Sequence, residues 1–466
     1  MAGRAIALTL ITALIVIISA CVAQAASRPA SLRLVKLGGS AQDPKCLDGS
    51  PPAYFLRDGY GSGVNNWLVY LQGGAWCTSK TECAQRATTP LGSSKFWPEP
   101  SSASFVRVMR NLNSQFTGLL SSSEVQNPDY YNWNTVMVVY CDGGGYAGTA
   151  GAVKVNASTT IHLDGHRILK SIVADLAKRG MATAKRVLLT GCSAGAQAVS
   201  TSCDDVAAAV PAANTKCLMD AGFFLDGWDE NGTPAFRTIA QKLVDVHQAQ
   251  YDADCVKASH SSFLFRLFPL QHPTFTQPIL LTFSLSLSLP ASQPFSSANR
   301  KVTQWRCFFP QNNLEFVSTP VFIINSINDY TAMDILNSAN KASSASSSNV
   351  LLCLDELRPS GGTAGYVPKA VKQPRRKNGN ATCSAAARDA LKRYSVRLQN
   401  RIQSLARRRP NTDTFLLGSV AHCVTIYPTW LSVQRKGFYM RAEVSNWLLK
   451  NQSVQLRQRR GGGHRV

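Results

Sequence analysis

Acidic residues are scarce in this 466-residue chain: 27 Asp and Glu stand against 49 Lys and Arg, a formal charge of +22. Between Val256 and Leu314 there is no carboxylate side chain at all. Such an excess makes a polyanion the natural counterpart of the surface, although it says nothing about chemistry. Beyond the N-terminal run, no stretch reaches the roughly 18 uninterrupted apolar residues that a membrane span needs, so the mature chain is expected to be soluble. Histidine is sparse, with seven in all, so an imidazole-based mechanism has few candidates. No internal repeat is visible, which sets aside repeat architectures.

What is present begins with "MAGRAIALTLITALIVIISACVAQAASRPA", with an early cation (Arg4), an apolar run and an Ala-x-Ala site at Ala23–Ala25. This pattern predicts a secretory signal peptide over residues 1–25. Its removal takes Cys21 and leaves twelve of the thirteen cysteines, enough for six disulfides in an oxidising compartment. Sequons at Asn156, Asn231, Asn380 and Asn451 would be open to glycosylation there. In that setting an acidic extracellular polysaccharide suits the charge, and nucleic acid does not.

About 440 residues remain, ample for a large core. Strands are expected at Leu32–Leu37, Trp67–Leu71, Val136–Tyr140, Val187–Thr190 and Val321–Asn325. Several are continuous apolar runs without polar alternation, as in strands buried on both faces of a parallel sheet. Helical stretches lie between them. In "HRILKSIVADLAKRG", Ile168, Ile172, Val173, Leu176 and Ala177 recur at helical spacing and Gly180 stands at the end. Another helix is predicted from Ser384 to about Arg408, before Pro410. The alternation argues a wound α/β sheet flanked by helices and stabilised by disulfides. One domain is expected over residues 27–450, with a basic disordered tail at 451–466.

Within "VLLTGCSAGAQAVSTSC" the motif Gly191-Cys192-Ser193-Ala194-Gly195 follows an apolar strand and precedes a small-residue helix. A bare Gly-x-Ser-x-Gly would occur by chance in roughly one chain in six of this length. The strand-turn-helix context is what makes Ser193 a nucleophile candidate. An oxyanion hole needs amide donors from a second loop, and "YLQGGAWC" follows another strand. The amides of Gly74 and Ala75, with that of Ala194, are the candidates. A base and an acid should follow in the order Ser, Asp, His. His162 and His166 precede Ser193, and their His-x-x-x-His spacing lacks a third ligand, so no metal and no cofactor is expected. His422, late in the chain after an apolar stretch, is the base candidate. Asp329 and Asp334 both follow the Val321–Asn325 strand, and Asp329 is nearer its end; Asp220 and Asp226 come one strand too early.

The blocks "YLQGGAWC", "NPDYYNWNTVMVVYCDGG", "GCSAGAQAV", "CLMDAGFFLD", "RCFFPQN", "PVFIINSINDY" and "AHC" together resemble plant pectin acetylesterases, which are related to the animal carboxylesterase Notum. The resemblance implies an α/β-hydrolase-like fold and a triad of Ser193, Asp329 and His422. It also implies a secreted, cell-wall carboxylic ester hydrolase acting on acetylated pectin. Separately, no nucleic-acid partner and no membrane partner of the mature form are expected, and a monomer is the expected state. Two other activities stay open: deacylation of a lipidated protein, and polyanion binding by a disabled enzyme. Four departures from the family pattern stand out. Gln72 and Ala75 replace a Glu and a Gly, and Tyr330-Thr331-Ala332 replaces a Ser-Trp-Gln stretch. Ser419 replaces a cysteine, so one family disulfide is expected to be missing. Residues 263–300, "FLFRLFPLQHPTFTQPILLTFSLSLSLPASQPFSSANR", have no family counterpart. Phe, Leu, Ser and Pro are what pyrimidine-rich codons encode, which favours a retained intron over an insertion loop. Tryptic peptides from this stretch in secreted protein would overturn that.

Overall fold

The computed structural model describes residues 31–38, 40, 42–111, 116–227, 234–267, 303–333, 385–419, 421–435 and 437–454. The expected signal peptide, Asp334, the sequons at Asn231 and Asn380, most of 263–300 and the tail from 455 lie outside the described residues. The principal strands are β1 (Arg33–Lys36), β2 (Ala53–Arg57), β3 (Asn66–Leu71), β4 (Asn134–Val138), β5 (Gly151–Lys154), β6 (Thr160–Leu163), β7 (Arg186–Cys192), β8 (Asn214–Asp220), β9 (Val321–Ser326) and β10 (Thr412–Leu417). Eight of them form one sheet in the order β1-β2-β4-β3-β7-β8-β9-β10. The pairs β1/β2 and β2/β4 are antiparallel, and every pair from β4/β3 to β9/β10 is parallel.

Burial explains the apolar runs. Every residue of β3 and β9 is buried, and so is every residue of β7 after Arg186. A strand covered by helices on both faces has no solvent side to carry polar residues. The Leu32–Leu37 run differs: its strand β1 is only half-buried and pairs antiparallel at the edge. Three strands of this sheet, β2, β8 and β10, are absent from the expected set; in the last two, polar residues interrupt the apolar run. In β8 ("NTKCLMD") Lys216 is buried, and its Nζ donates to the Trp447 carbonyl at 2.5 Å and Asn451 Oδ1 at 2.8 Å. Both acceptors lie at the end of a helix, where the backbone dipole is negative, and burial lowers the ammonium pKa to about 8.

Helices flank the sheet, among them α1 (Lys80–Arg86), α2 (Gly165–Lys178), α3 (Ala194–Ala209), α4 (Ala235–His247), α5 (Ala253–Leu267), α6 (Ala385–Arg408) and α7 (Met440–Lys450). The predicted inward face of α2 is buried at Ile168, Ile172, Val173 and Leu176. Gly180 ends that region at φ 111°, the left-handed conformation that suits glycine. This is an α/β-hydrolase-like arrangement, a mainly parallel sheet with flanking helices. Among the described residues no helix is long and apolar enough to cross a membrane.

Among the described residues, five disulfides join Cys46–Cys141, Cys77–Cys83, Cys192–Cys423, Cys203–Cys217 and Cys255–Cys307. Cys353 and Cys383 lie outside those residues. Ser419, where a cysteine was expected from the family, instead offers its carbonyl to the Ser326 hydroxyl.

Just past β4, Asp142 is buried, with Oδ2 accepting from the amides of Gly144 (2.9 Å) and Tyr146 (3.0 Å). Burial raises its pKa to about 6 despite those donors. A raised carboxyl pKa contributes stability below about pH 4, the unfolded value, and that contribution is lost as pH rises through the folded value. Asp142→Asn keeps an acceptor for both amides and cannot ionise. Its melting temperature relative to the parent is expected to rise from pH 4 to pH 8, equivalent to about 3 kcal/mol. A pH-independent difference in calorimetry would contradict the buried charge.

Candidate active site

Strand β7 delivers Ser193 to the carboxyl edge of the sheet, and α3 starts at the next residue. Ser193 adopts φ 59°, ψ −127°, a conformation that L-residues avoid and that costs about 1–3 kcal/mol. Its amide donates to the main-chain oxygen of Asp220 at 3.0 Å. The two motif glycines are there for close approach. A Cβ on Gly195 would sit 2.1 Å from Leu71 O at the end of β3, and one on Gly191 would sit 2.7 Å from the Gly195 backbone. Gly195→Ala is therefore expected to destabilise the fold by about 3 kcal/mol and to lower kcat about 100-fold by displacing the turn. Denaturant midpoints and ester turnover on one preparation check both figures.

The loop after β3 packs against this turn. A Cβ on Gly73 would lie 2.3 Å from Cys192 O and 3.0 Å from Ser193 Cβ. Gly74 and Ala75 have φ of 149° and 55°. The carbonyls of the loop are held from outside. Arg86 Nη2 donates to Gly74 O at 2.7 Å, and Tyr140 Oη donates to Ala75 O at 2.8 Å. His247 Nε2 lies 2.8 Å from Cys77 O. Burial lowers the His247 pKa to about 4, so the ring is neutral, and facing a carbonyl the Nε2 must carry the proton. Gln72 Oε1 accepts the Tyr140 amide at 2.9 Å, a bond that a Glu at this position could also make. With the carbonyls pinned, the amides of Gly74 and Ala75 have no acceptor among the described residues. Ala194 opens α3, where first-turn amides have no partner within the helix.

Asp329 and His422 meet at the same edge. His422 Nδ1 lies 2.8 Å and 2.9 Å from the two carboxylate oxygens of Asp329. The acid is further held by the amides of Thr331 (3.0 Å) and Ala332 (3.1 Å), which donate to Oδ1. Asp329 is 1% exposed, whereas His422 and Ser193 are 8% and 9% exposed, so the acid is sealed and the other two can be reached. The Tyr330 ring packs edge-on to the imidazole, 5.7 Å between centroids. Ser193 Oγ makes no hydrogen bond among the described residues. The chain neighbours of Ser193 and His422 are linked. Cys192 and Cys423 form a disulfide with Cα atoms 5.4 Å apart, and a ring nitrogen of His422 lies within 4.8 Å of both sulfurs.

Asp220, passed over as the triad acid, has a different place. It is buried, and its Oδ2 accepts from both Thr425 N and Thr425 Oγ1 at 2.7 Å. One residue thus holds the serine turn through its carbonyl and the histidine loop through its carboxylate. Chain order gives no sign of this. Among the described residues, two Cys/His groups have donor atoms close enough for a metal, Cys77-Cys83-His247 and Cys192-His422-Cys423. In each, the two cysteines are joined as a disulfide and only the imidazole is a free donor. His162 lies on β6 and His166 at the start of α2, in neither group.

A family model described as Pectinacetylesterase matches residues 23–458. Pectin acetylesterases 7 and 11 of Arabidopsis thaliana are each 34% identical over 290 residues, covering 62% of this chain and 60% of the relative. Human palmitoleoyl-protein carboxylesterase Notum is 33% identical over 201 residues, 42% of this chain and 37% of that protein. The chain thus spans about 60% of the length of the plant relatives.

Proposed function

The chain belongs to the pectinacetylesterase family, and from that premise we propose that it is a secreted serine esterase that removes acetyl groups from cell-wall pectin. The observation that carries the reading is the His422–Asp329 bond at the sheet edge where the Ser193 turn emerges. In this reading Ser193 Oγ attacks the acetyl carbonyl and passes its proton to His422 Nε2. Asp329 holds the imidazole in the required tautomer and stabilises its cation. The oxyanion of the tetrahedral intermediate is received by the amides of Gly74, Ala75 and Ala194, and loss of one such donor costs about 10²–10³ in rate. Collapse expels the sugar alkoxide, which takes the proton from His422 and leaves an acetyl-serine. Water, deprotonated by His422, then releases acetate and restores the serine. No step calls on a cofactor. Residues 1–25 would be removed on secretion, leaving one catalytic domain over 27–450 that acts as a monomer on a polysaccharide.

A second reading draws on the 33% identity to a palmitoleoyl-protein carboxylesterase: the acyl group is long and sits on a protein. In the loop after β3, Trp76 is buried with its ring 5.2 Å from Phe224 and 5.4 Å from Phe308, an apolar cluster that does not by itself choose between the two acyl groups. The deciding assay compares acetate release from acetylated pectin with hydrolysis of a long-chain acyl ester. A kcat/KM for the long chain above that for acetyl would transfer the assignment to the second reading.

A further inference from the structure

The longest described helix, α6, has two dissimilar faces. Leu398, Ile402 and Leu405 are buried at 0%, 0% and 1% exposure and hold it against the core. At about 100° per residue, positions 397, 400, 401, 404 and 407 fall within an arc of about 120° turned away from that face. Arg397, Asn400, Arg401, Ser404 and Arg407 occupy them, and together with Leu225–Gly227 they line a groove of 570 Å³. Arg397, Arg401 and Arg407 are exposed, and none of their side chains has an ion pair or hydrogen bond with any described residue. The groove's carboxylate, Asp226, is taken by Arg237 through bonds of 3.0 and 3.1 Å. The row is therefore a cationic surface whose neighbouring acid is already neutralised.

Its position connects it to the active site. Ser395 Oγ donates to Asn328 Oδ1 at 2.8 Å, and Asn328 directly precedes Asp329. Arg397 lies two residues further along, and at about 1.5 Å per residue the row runs roughly 15 Å away from that anchor. The opposite wall follows Phe223, whose amide donates to Asn325 Oδ1 near the end of β9, 3.2 Å away. A chain lying in the groove would thus lead toward the triad edge.

We propose that Arg397, Arg401 and Arg407 form a strip that binds successive carboxylates of an acidic polysaccharide and guides it to the esterase centre. The proposal rests on the pectin reading for its substrate, but not for the groove. Guanidinium is well matched to such a ligand, because its planar fork pairs with a carboxylate through two parallel bonds and is less strongly hydrated than an ammonium. A row of such groups contacts a uronate polymer at several sugars, while each exposed pair stays weak enough to let the polymer move.

The test uses the full secreted chain in a Ser193→Ala background, with de-esterified, unacetylated polygalacturonate as the probe. R397E/R401E/R407E is compared with R107E/R110E/K178E, which makes the same change in net charge on exposed residues elsewhere. The groove variant is expected to weaken polygalacturonate binding at least about 10-fold and to flatten its salt dependence, with the control within about 3-fold of the parent. With Ser193 restored, the groove change should raise KM for acetylated pectin and leave kcat in place. Equal losses in both variants would assign binding to net charge and overturn the proposal, as would unchanged binding. Tighter binding of duplex nucleic acid than of polygalacturonate would overturn the polysaccharide assignment. If charge reversal lowers the melting temperature markedly, R397Q/R401Q/R407Q decides by the same KM criterion. A parent that releases no acetate from pectin, while the groove variant still loses polygalacturonate binding, sinks the esterase reading and keeps the groove.

Discussion

Replacing Ser193 with alanine is expected to lower kcat by about 10⁶-fold, the scale on which hydrolases lose activity when their nucleophile is removed. Labelling by a fluorophosphonate probe should vanish with it. The companion change, Ser193→Gly, makes the reading sharper. At φ 59°, ψ −127° a serine is strained and a glycine is not. The glycine variant should be equally inactive yet more stable, by about 1 kcal/mol in denaturant unfolding. Greater stability together with lost activity is what a site held in strain for its chemistry predicts. Parent protein that fails to label would leave a polyanion-binding protein without esterase activity.

Asp329→Asn is expected to lower kcat about 10⁴-fold with little change in fold. The carboxylate accepts from His422 Nδ1 and also from the amides of Thr331 and Ala332. An Asn oxygen can still serve the amides. Its NH₂ group, turned to the imidazole, would favour the wrong tautomer, with Nε2 protonated and unable to receive the serine proton. In the Ser193→Ala background the same change should cost almost nothing further, because the residues act as a unit. Additive losses measured on the double variant would show that Asp329 acts on something other than the serine's base.

Much of this was legible from the residues alone. The strands β3, β7 and β9 announce themselves because burial on both faces leaves them uniformly apolar. The serine turn is legible because its glycines are demanded by contacts within a short span and to one neighbouring strand. By contrast, β8 and β10 carry polar residues whose partners lie far off. Lys216 is satisfied by α7, and Asp413 Oδ1 by Ser453 Oγ at 2.8 Å and the Val454 amide at 2.9 Å. No local pattern records such bonds. In the sequence, chain order and the unsuitability of the other histidines point to His422. What sets its position, the Cys192–Cys423 link and the Asp220–Thr425 bonds, joins residues more than two hundred positions apart.

Residue by residue, the chain's alternation of buried runs and amphipathic helices determined the wound sheet, and its motif glycines determined where a serine could stand in a strained turn. Both follow from short-range sterics and periodic burial, which any reader of the sequence can trace. Only the tertiary structure decided which carboxylates became supports, which histidine stayed neutral under a loop, and which arginines found no partner among the described residues. Those outcomes depend on strand order, and strand order brings together groups whose separation along the chain carries no signal.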